Sequence, residues 1–136
     1  MKGSKLMTKK ILVVDDDRNI GQILHASLSA KGYETIISRN GEDALSQFMT
    51  VEPDLVLLDV MMGQVDEGFQ VAYELKGDPE TKDIPILMLT AVADQTVFDF
   101  DPKKDQEFLP VNEFLEKPIS PRKLVDMVRK HLPTTI

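Results

Sequence analysis

Three short runs of unbroken apolar residues, Ile11-Leu12-Val13-Val14, Leu55-Val56-Leu57-Leu58 and Ile86-Leu87-Met88-Leu89, each stop on a polar residue: Asp15, Asp59 and Thr90. Runs this short, apolar at every position and bounded by turn residues such as Pro53-Asp54, read as strands buried on both faces. A fourth, weaker run, Glu113-Phe114-Leu115-Glu116, stops on Lys117-Pro118. Between the runs lie segments with helical spacing, so the pattern is strand, helix, strand, which implies βαβ units, a parallel sheet and the α/β class. Open sheets of this kind place ligands outside the carboxyl ends of their strands. Four such ends carrying carboxylates, a hydroxyl and an ammonium describe one site.

The helices are legible in outline. Ile20, Ile23, Leu24 and Leu28 share a face after the first strand, and Gly32 marks its stop. A second strand, Glu34 to Ile37, leads to a helix with Ala44, Leu45 and Phe48 inward, and Pro53 lies beyond its end. The helix after Asp59 uses Phe69, Ala72, Tyr73 and Leu75 before Gly77-Asp78-Pro79 breaks it. Ser120-Pro121 is an N-cap followed by proline at the first helical position, and Leu124, Val125, Val128 and Leu132 give the last helix its buried face. From Ala91 to Val111 no clean period survives; a short helix near Asp94–Phe100 and a long loop are expected there.

At 136 residues the chain suffices for one domain. Residues 1–8 are set aside as an N-terminal extension or tag, with Met7 as the start; the domain runs over 9–132, and 133–136 form a C-terminal tail. No linker to a second domain is visible, so the expectation is a stand-alone module. No apolar run approaches the roughly 20 residues that cross a bilayer, and no apolar core follows the basic first ten residues, so neither membrane insertion nor secretion is expected. Zero cysteines excludes a disulfide framework and fits a reducing, cytoplasmic setting. A formal net charge of −7 without a basic run argues against direct nucleic-acid binding.

Asp15, Asp16 and Asp59 would meet over the ends of neighbouring strands. Carboxylates crowded together disfavour mutual ionisation unless one keeps a proton or a cation sits among them. A hard, oxygen-seeking ion suits such a group, and Mg²⁺ binds through one or two carboxylates plus phosphate oxygens. Asp59 would then be a nucleophile forming an acyl phosphate, with Thr90 hydrogen-bonding a phosphoryl oxygen and Lys117 pairing with another. Asp17 suits a helix cap. His25 and His131 lack the partners of a metal site and read as solvated or packed.

The set Val13-Val14-Asp15-Asp16, Leu57-Leu58-Asp59-Val60-Met61-Met62, Leu89-Thr90-Ala91 and Lys117-Pro118 resembles the receiver domain of bacterial two-component response regulators over residues 9–132. The resemblance implies a flavodoxin-like sheet of five parallel strands in order 2-1-3-4-5 with helices on both faces. It also implies Mg²⁺ dependence and phosphorylation of Asp59 by a histidine kinase or a phosphotransfer protein. By position, Asp16, Asp59 and the backbone carbonyl of Met61 would bind the metal, with Asp15 acting mainly through water. Lys117-Pro118 would be a cis peptide, and Phe114 an aromatic switch residue. Output would pass to a downstream protein target, with a phosphorylation-dependent dimer as one form. The chain departs from the family where Gly63 replaces a proline, where Glu67 extends Asp66-Gly68, and where the stretch from Thr90 to Lys117 is longer than usual.

Two rival readings stand beside it. Asp15-x-Asp17, a strand-ending Thr and a later Lys superficially suit a phosphohydrolase of the haloacid-dehalogenase type, although that reading leaves Asp59 without a role. A receiver-like module that binds without being phosphorylated is the other.

Overall fold

The computed structural model describes residues 9–59, 67–90, 111–117 and 119–133. Its elements are β1 (Lys9–Val14), α1 (Arg18–Ser29), β2 (Tyr33–Ser38), α2 (Gly41–Val51), β3 (Leu55–Asp59), α3 (Glu67–Gly77), β4 (Ile86–Thr90), β5 (Glu113–Glu116) and α4 (Pro121–His131). The strands form one parallel sheet in the order β2-β1-β3-β4-β5. The expected fold is therefore the observed one. The expected helix near Asp94–Phe100 lies outside the described residues.

Side chains alternate across a strand, so a strand apolar at every position feeds two cores. Ile11 and Val13 of β1, with Leu55, Leu57, Leu87 and Leu89, pack with Leu24 and Leu28 of α1 and Leu124, Val125 and Val128 of α4. Leu12 and Val14, with Val56, Leu58, Ile86 and Met88, pack with Ala44 and Phe48 of α2 and Val71, Ala72 and Leu75 of α3. Both faces of the sheet are thus covered. Because Leu57 is fully buried between strand neighbours, Leu57→Ala is expected to lower the unfolding free energy by about 2–5 kcal/mol through lost transfer energy and a residual cavity. A urea melt reads this directly, and a loss below about 1 kcal/mol would show that the core closes over the gap.

The helix ends follow their capping residues. Asn40 accepts from the Asp43 N–H at 2.8 Å, and Ser120 accepts from the Lys123 N–H at 3.1 Å with proline opening α4. Gly32 adopts φ 92° just past α1, a left-handed conformation that glycine takes without a Cβ clash. Among the described side chains, which do not include Phe69, two apolar residues depart from the expected inward faces. Ile23 and Tyr73 are exposed, and Val71 takes the inward place on α3. A face about 100° wide admits only part of a run with apolar residues at successive positions, and the neighbouring Leu24 and Ala72 are the ones buried in the two cores. Leu45 is only partly buried, and β2 extends one residue beyond each expected end.

One long-range tie had no sequence signature: the Tyr33 hydroxyl donates to the Leu132 carbonyl at 2.7 Å, locking the end of α4 to the start of β2. His131, expected to be solvated or packed, is paired with Glu113 at 2.9 Å, as is Lys130. Among the described residues no helix is long and apolar enough to cross a membrane.

Candidate functional site

The parallel register aligns the strand ends. Val14 lies opposite Leu58, Asp59 opposite Leu89, and Thr90 opposite Glu116. Side chains that follow or end these strands therefore share one edge of the sheet. The Asp15 N–H donates to the Ser38 carbonyl at 3.0 Å, which carries the β1–β2 ladder one step past the strand and fixes the Asp15 backbone. On the other flank the Lys117 N–H donates to the Thr90 carbonyl at 2.8 Å, fixing the residue after β5 in the same way.

Asp15, Asp16 and Asp59 converge: one carboxylate oxygen from each lies within 4.8 Å of the others. Asp15 and Asp59 are buried, whereas Asp16 faces solvent. Lys117 reaches across from β5 and pairs its Nζ with Asp59 Oδ1 at 3.0 Å. Thr90, the last residue of β4, is buried at the same edge. Phe114 lies opposite Met88 and is partly buried against the core shared with α2 and α3. The expected carbonyl ligand Met61 and the residue Pro118, with its expected cis bond, lie outside the described residues.

Asp17 does not join the cluster. Its carboxylate caps α1, accepting from the Asn19 N–H at 2.9 Å and the Ile20 N–H at 3.3 Å. Its own N–H donates to Asp15 Oδ1 at 2.9 Å. The adjacent aspartates thus divide the work, one pointing down to the helix and one held toward Asp59. Asp17→Ala is expected to cost about 1 kcal/mol of stability, the worth of an N-cap, while the Asp17 backbone still holds Asp15. Thermal melts check the first part; a loss near zero would mean that solvent caps the helix equally well.

The electrostatics follow from crowding and burial. Burial pushes the Asp59 carboxyl up to about 7; the neighbouring Asp15 charge adds to the rise, and Lys117 opposes it. Burial likewise raises Asp15, against its backbone hydrogen bond from Asp17 and the Lys117 charge. Asp15, Asp16 and Asp59 thus bring three carboxylates together beside the Lys117 ammonium. Among the described residues, nothing donates a hydrogen bond to the buried Asp15 Oδ2, a costly state for a carboxylate oxygen. An all-oxygen set of crowded carboxylates, with a buried oxygen that lacks a donor among the described residues, fits a hard divalent cation such as Mg²⁺.

Residues 11–129 match the response regulator receiver domain family. The chain belongs to that family. This receiver is 42% identical over 127 residues to the probable transcriptional regulator ycf27 of Cyanophora paradoxa, a match covering 93% of this chain and 49% of the relative. It is 38% identical over 125 residues to the alkaline phosphatase synthesis transcriptional regulatory protein PhoP of Bacillus subtilis, covering 87% of this chain and 46% of PhoP. The chain thus spans about half the length of the curated relatives it matches. The structure of the chemotaxis response regulator CheY4 of Vibrio cholerae superposes on the receiver with a TM-score of 0.78 at 28% identity, covering 92% of this chain and 99% of that one.

The backbone tie between Ser38 and Asp15, and the Asp15 orientation by Asp17, were not legible in the sequence. Ser38 is buried and shares its hydroxyl with Gln47, but a lone serine at a strand end carries no signal of that role.

Proposed function

We propose that this receiver is a phosphoryl-accepting switch of a two-component system, with Asp59 as the acceptor. The observation that carries the reading is the Asp59 carboxylate itself. It is buried at the end of β3, paired with Lys117 at 3.0 Å and flanked by Asp15 and Asp16. The phosphoryl donor is a histidine kinase or a histidine phosphotransfer protein. An Asp59 oxygen forms the new O–P bond as the donor's P–N bond breaks, and the departing histidine nitrogen takes a proton from solvent. Lys117 hands its charge from the carboxylate to a phosphoryl oxygen, and Thr90, buried at the end of the next strand, donates its hydroxyl to another. Asp15, Asp16 and Asp59, with the Met61 carbonyl, would hold Mg²⁺, which supplies positive charge against the phosphoryl oxygens when bound.

Output then passes by protein contact from a surface biased by Thr90 and Phe114. Its recipients are a downstream protein target and, in the phosphorylated form, a second copy of the domain. The cytoplasm is the setting for this traffic. Turnover of small phosphate esters is not part of the reading: Asp17, which a phosphohydrolase would use beside Asp15, is spent on capping α1, and Asp59 has the charged partner expected of an acceptor.

Acetyl phosphate with Mg²⁺ supplies the test. Peptide mass spectrometry after a brief incubation is expected to place one phosphoryl group on the peptide containing Asp59, labile to hydroxylamine as an acyl phosphate is. Stable modification elsewhere, or none while the fold is intact, would favour a module that binds without phosphorylation.

A further inference from the structure

A cleft of about 580 Å³ opens between α1 and α4, lined by Ala30 and Lys31 at the end of α1 and by Arg122, Val125, Asp126 and Arg129 on α4. It shares no lining residue with the carboxylate site. Ser27 and Ala30 contribute short side chains on the α1 side, so the helices leave a gap there that neither fills. Val125, which also lines it, is buried.

The rim carries the opposite charge balance to the chain as a whole. Asp and Glu outnumber Lys and Arg by 23 to 16 in the chain, yet three cations and one carboxylate line this cleft. Among the described residues, none of the side chains of Lys31, Arg122 and Arg129 makes a hydrogen bond or ion pair, although Asp126 lines the same wall. Arg122 and Arg129 stand seven positions apart on α4, two turns or about 10 Å, which puts them on one face at the two ends of the groove. Arginine is the side chain best suited to paired hydrogen bonds with a carboxylate. A net-negative chain repels acidic partners over most of its surface, so a local positive groove both attracts such a partner and sets where it lands.

We propose that the α1–α4 cleft is a docking groove for an acidic segment of a partner protein. The segment seats one aliphatic side chain over Val125 and Ala30 and sets carboxylates against Lys31, Arg122 and Arg129. The apolar floor gives affinity and the cationic rim gives selectivity.

Labelled peptides that set one leucine among glutamates, and the same peptides with lysine in place of glutamate, are the probes. By fluorescence anisotropy at low salt the full chain is expected to bind the acidic peptide at least tenfold more tightly than the lysine version. The affinity should fall with added salt, and NMR shifts should centre on Ala30, Val125 and Arg129. Arg122→Glu with Arg129→Glu is expected to weaken acidic-peptide binding at least tenfold while leaving phosphoryl uptake at Asp59 unchanged, which shows that the variant is folded. Arg122→Lys with Arg129→Lys keeps the charge and is expected to retain most of the salt dependence with lower affinity. Equal binding of both peptides, shifts centred elsewhere, or full affinity in the charge-reversed variant would each overturn the proposal. Inorganic phosphate or a short RNA that shifts the same residues while the acidic peptide does not would overturn it in favour of a different ligand.

Discussion

Asp59→Asn is expected to take up no phosphoryl group from acetyl phosphate and yet to melt higher than the wild-type chain in metal-free buffer at neutral pH. The first effect is all or none, because an amide is not a nucleophile toward phosphorus under these conditions. The second follows from linkage. The folded carboxyl titrates at about 7, against roughly 3.9 in an unfolded chain. Between those values the folded state holds a proton that the unfolded state has released, so stability falls as pH rises from about 4 to 7. The loss is complete above that window. Asparagine keeps the shape without the charge, and Lys117 retains the electrostatic attraction of Asp15. The gain is on the order of 2–4 kcal/mol at neutral pH and fades below about pH 4, where the Asp59 carboxyl is protonated in the folded and unfolded chain alike. In melting temperature that is roughly 7–14 °C for a domain this size. Melts of both proteins across pH in EDTA decide it. Parallel curves, or a variant less stable at every pH, would mean that the buried carboxylate is compensated in the folded chain.

The second large effect is the converse one. Mg²⁺ is expected to stabilise the wild-type chain at neutral pH by about 2.7 kcal/mol at a hundredfold excess over Kd, since it binds the folded carboxylate group and not the unfolded chain. Asp16→Asn should lose most of this shift, and Asp59→Asn should lose it too, its metal-free gain remaining as it was. The same cation should flatten the fall in stability between pH 4 and 7, because it favours the ionised forms of Asp15 and Asp59. Differential scanning fluorimetry over a Mg²⁺ series provides the measurement. A melting curve unmoved by millimolar Mg²⁺, or an equal shift in Asp16→Asn, would leave the acidic cluster without a role in metal binding. Read against phosphoryl uptake, the two experiments separate a metal site from an acceptor site.

Much of the architecture was legible because parallel strands carry a strong signal. Ile11 to Val14, Leu55 to Leu58 and Ile86 to Leu89 are apolar at consecutive positions, which only burial on both faces rationalises, and each serves two cores. The helix starts were equally plain, because Asp17 and Ser120 satisfy backbone donors that lie next to them in sequence. Helix faces were less certain. Ile23 and Leu24, or Ala72 and Tyr73, are neighbours in sequence, and their composition does not say which of the pair turns inward. The sheet beneath them sets that rotation, and it exposes Ile23 and Tyr73.

The amino-acid sequence alone determined that Asp15, Asp16, Asp59, Thr90 and Lys117 stand at or just beyond strand ends, because that follows from where each apolar run stops. It could not determine how far each carboxyl would be desolvated or which partner it would take. Those are properties of distance and dielectric, and both arise only when β1, β3, β4 and β5 lie side by side. Tertiary packing therefore decided that Lys117 pairs with Asp59 across 58 residues of sequence, that Asp15 Oδ2 is buried with no donor among the described residues, and that Lys31, just past α1, and Arg122 and Arg129 of α4 border one cleft. The residues were in the sequence; their mutual electrostatics were made by the fold.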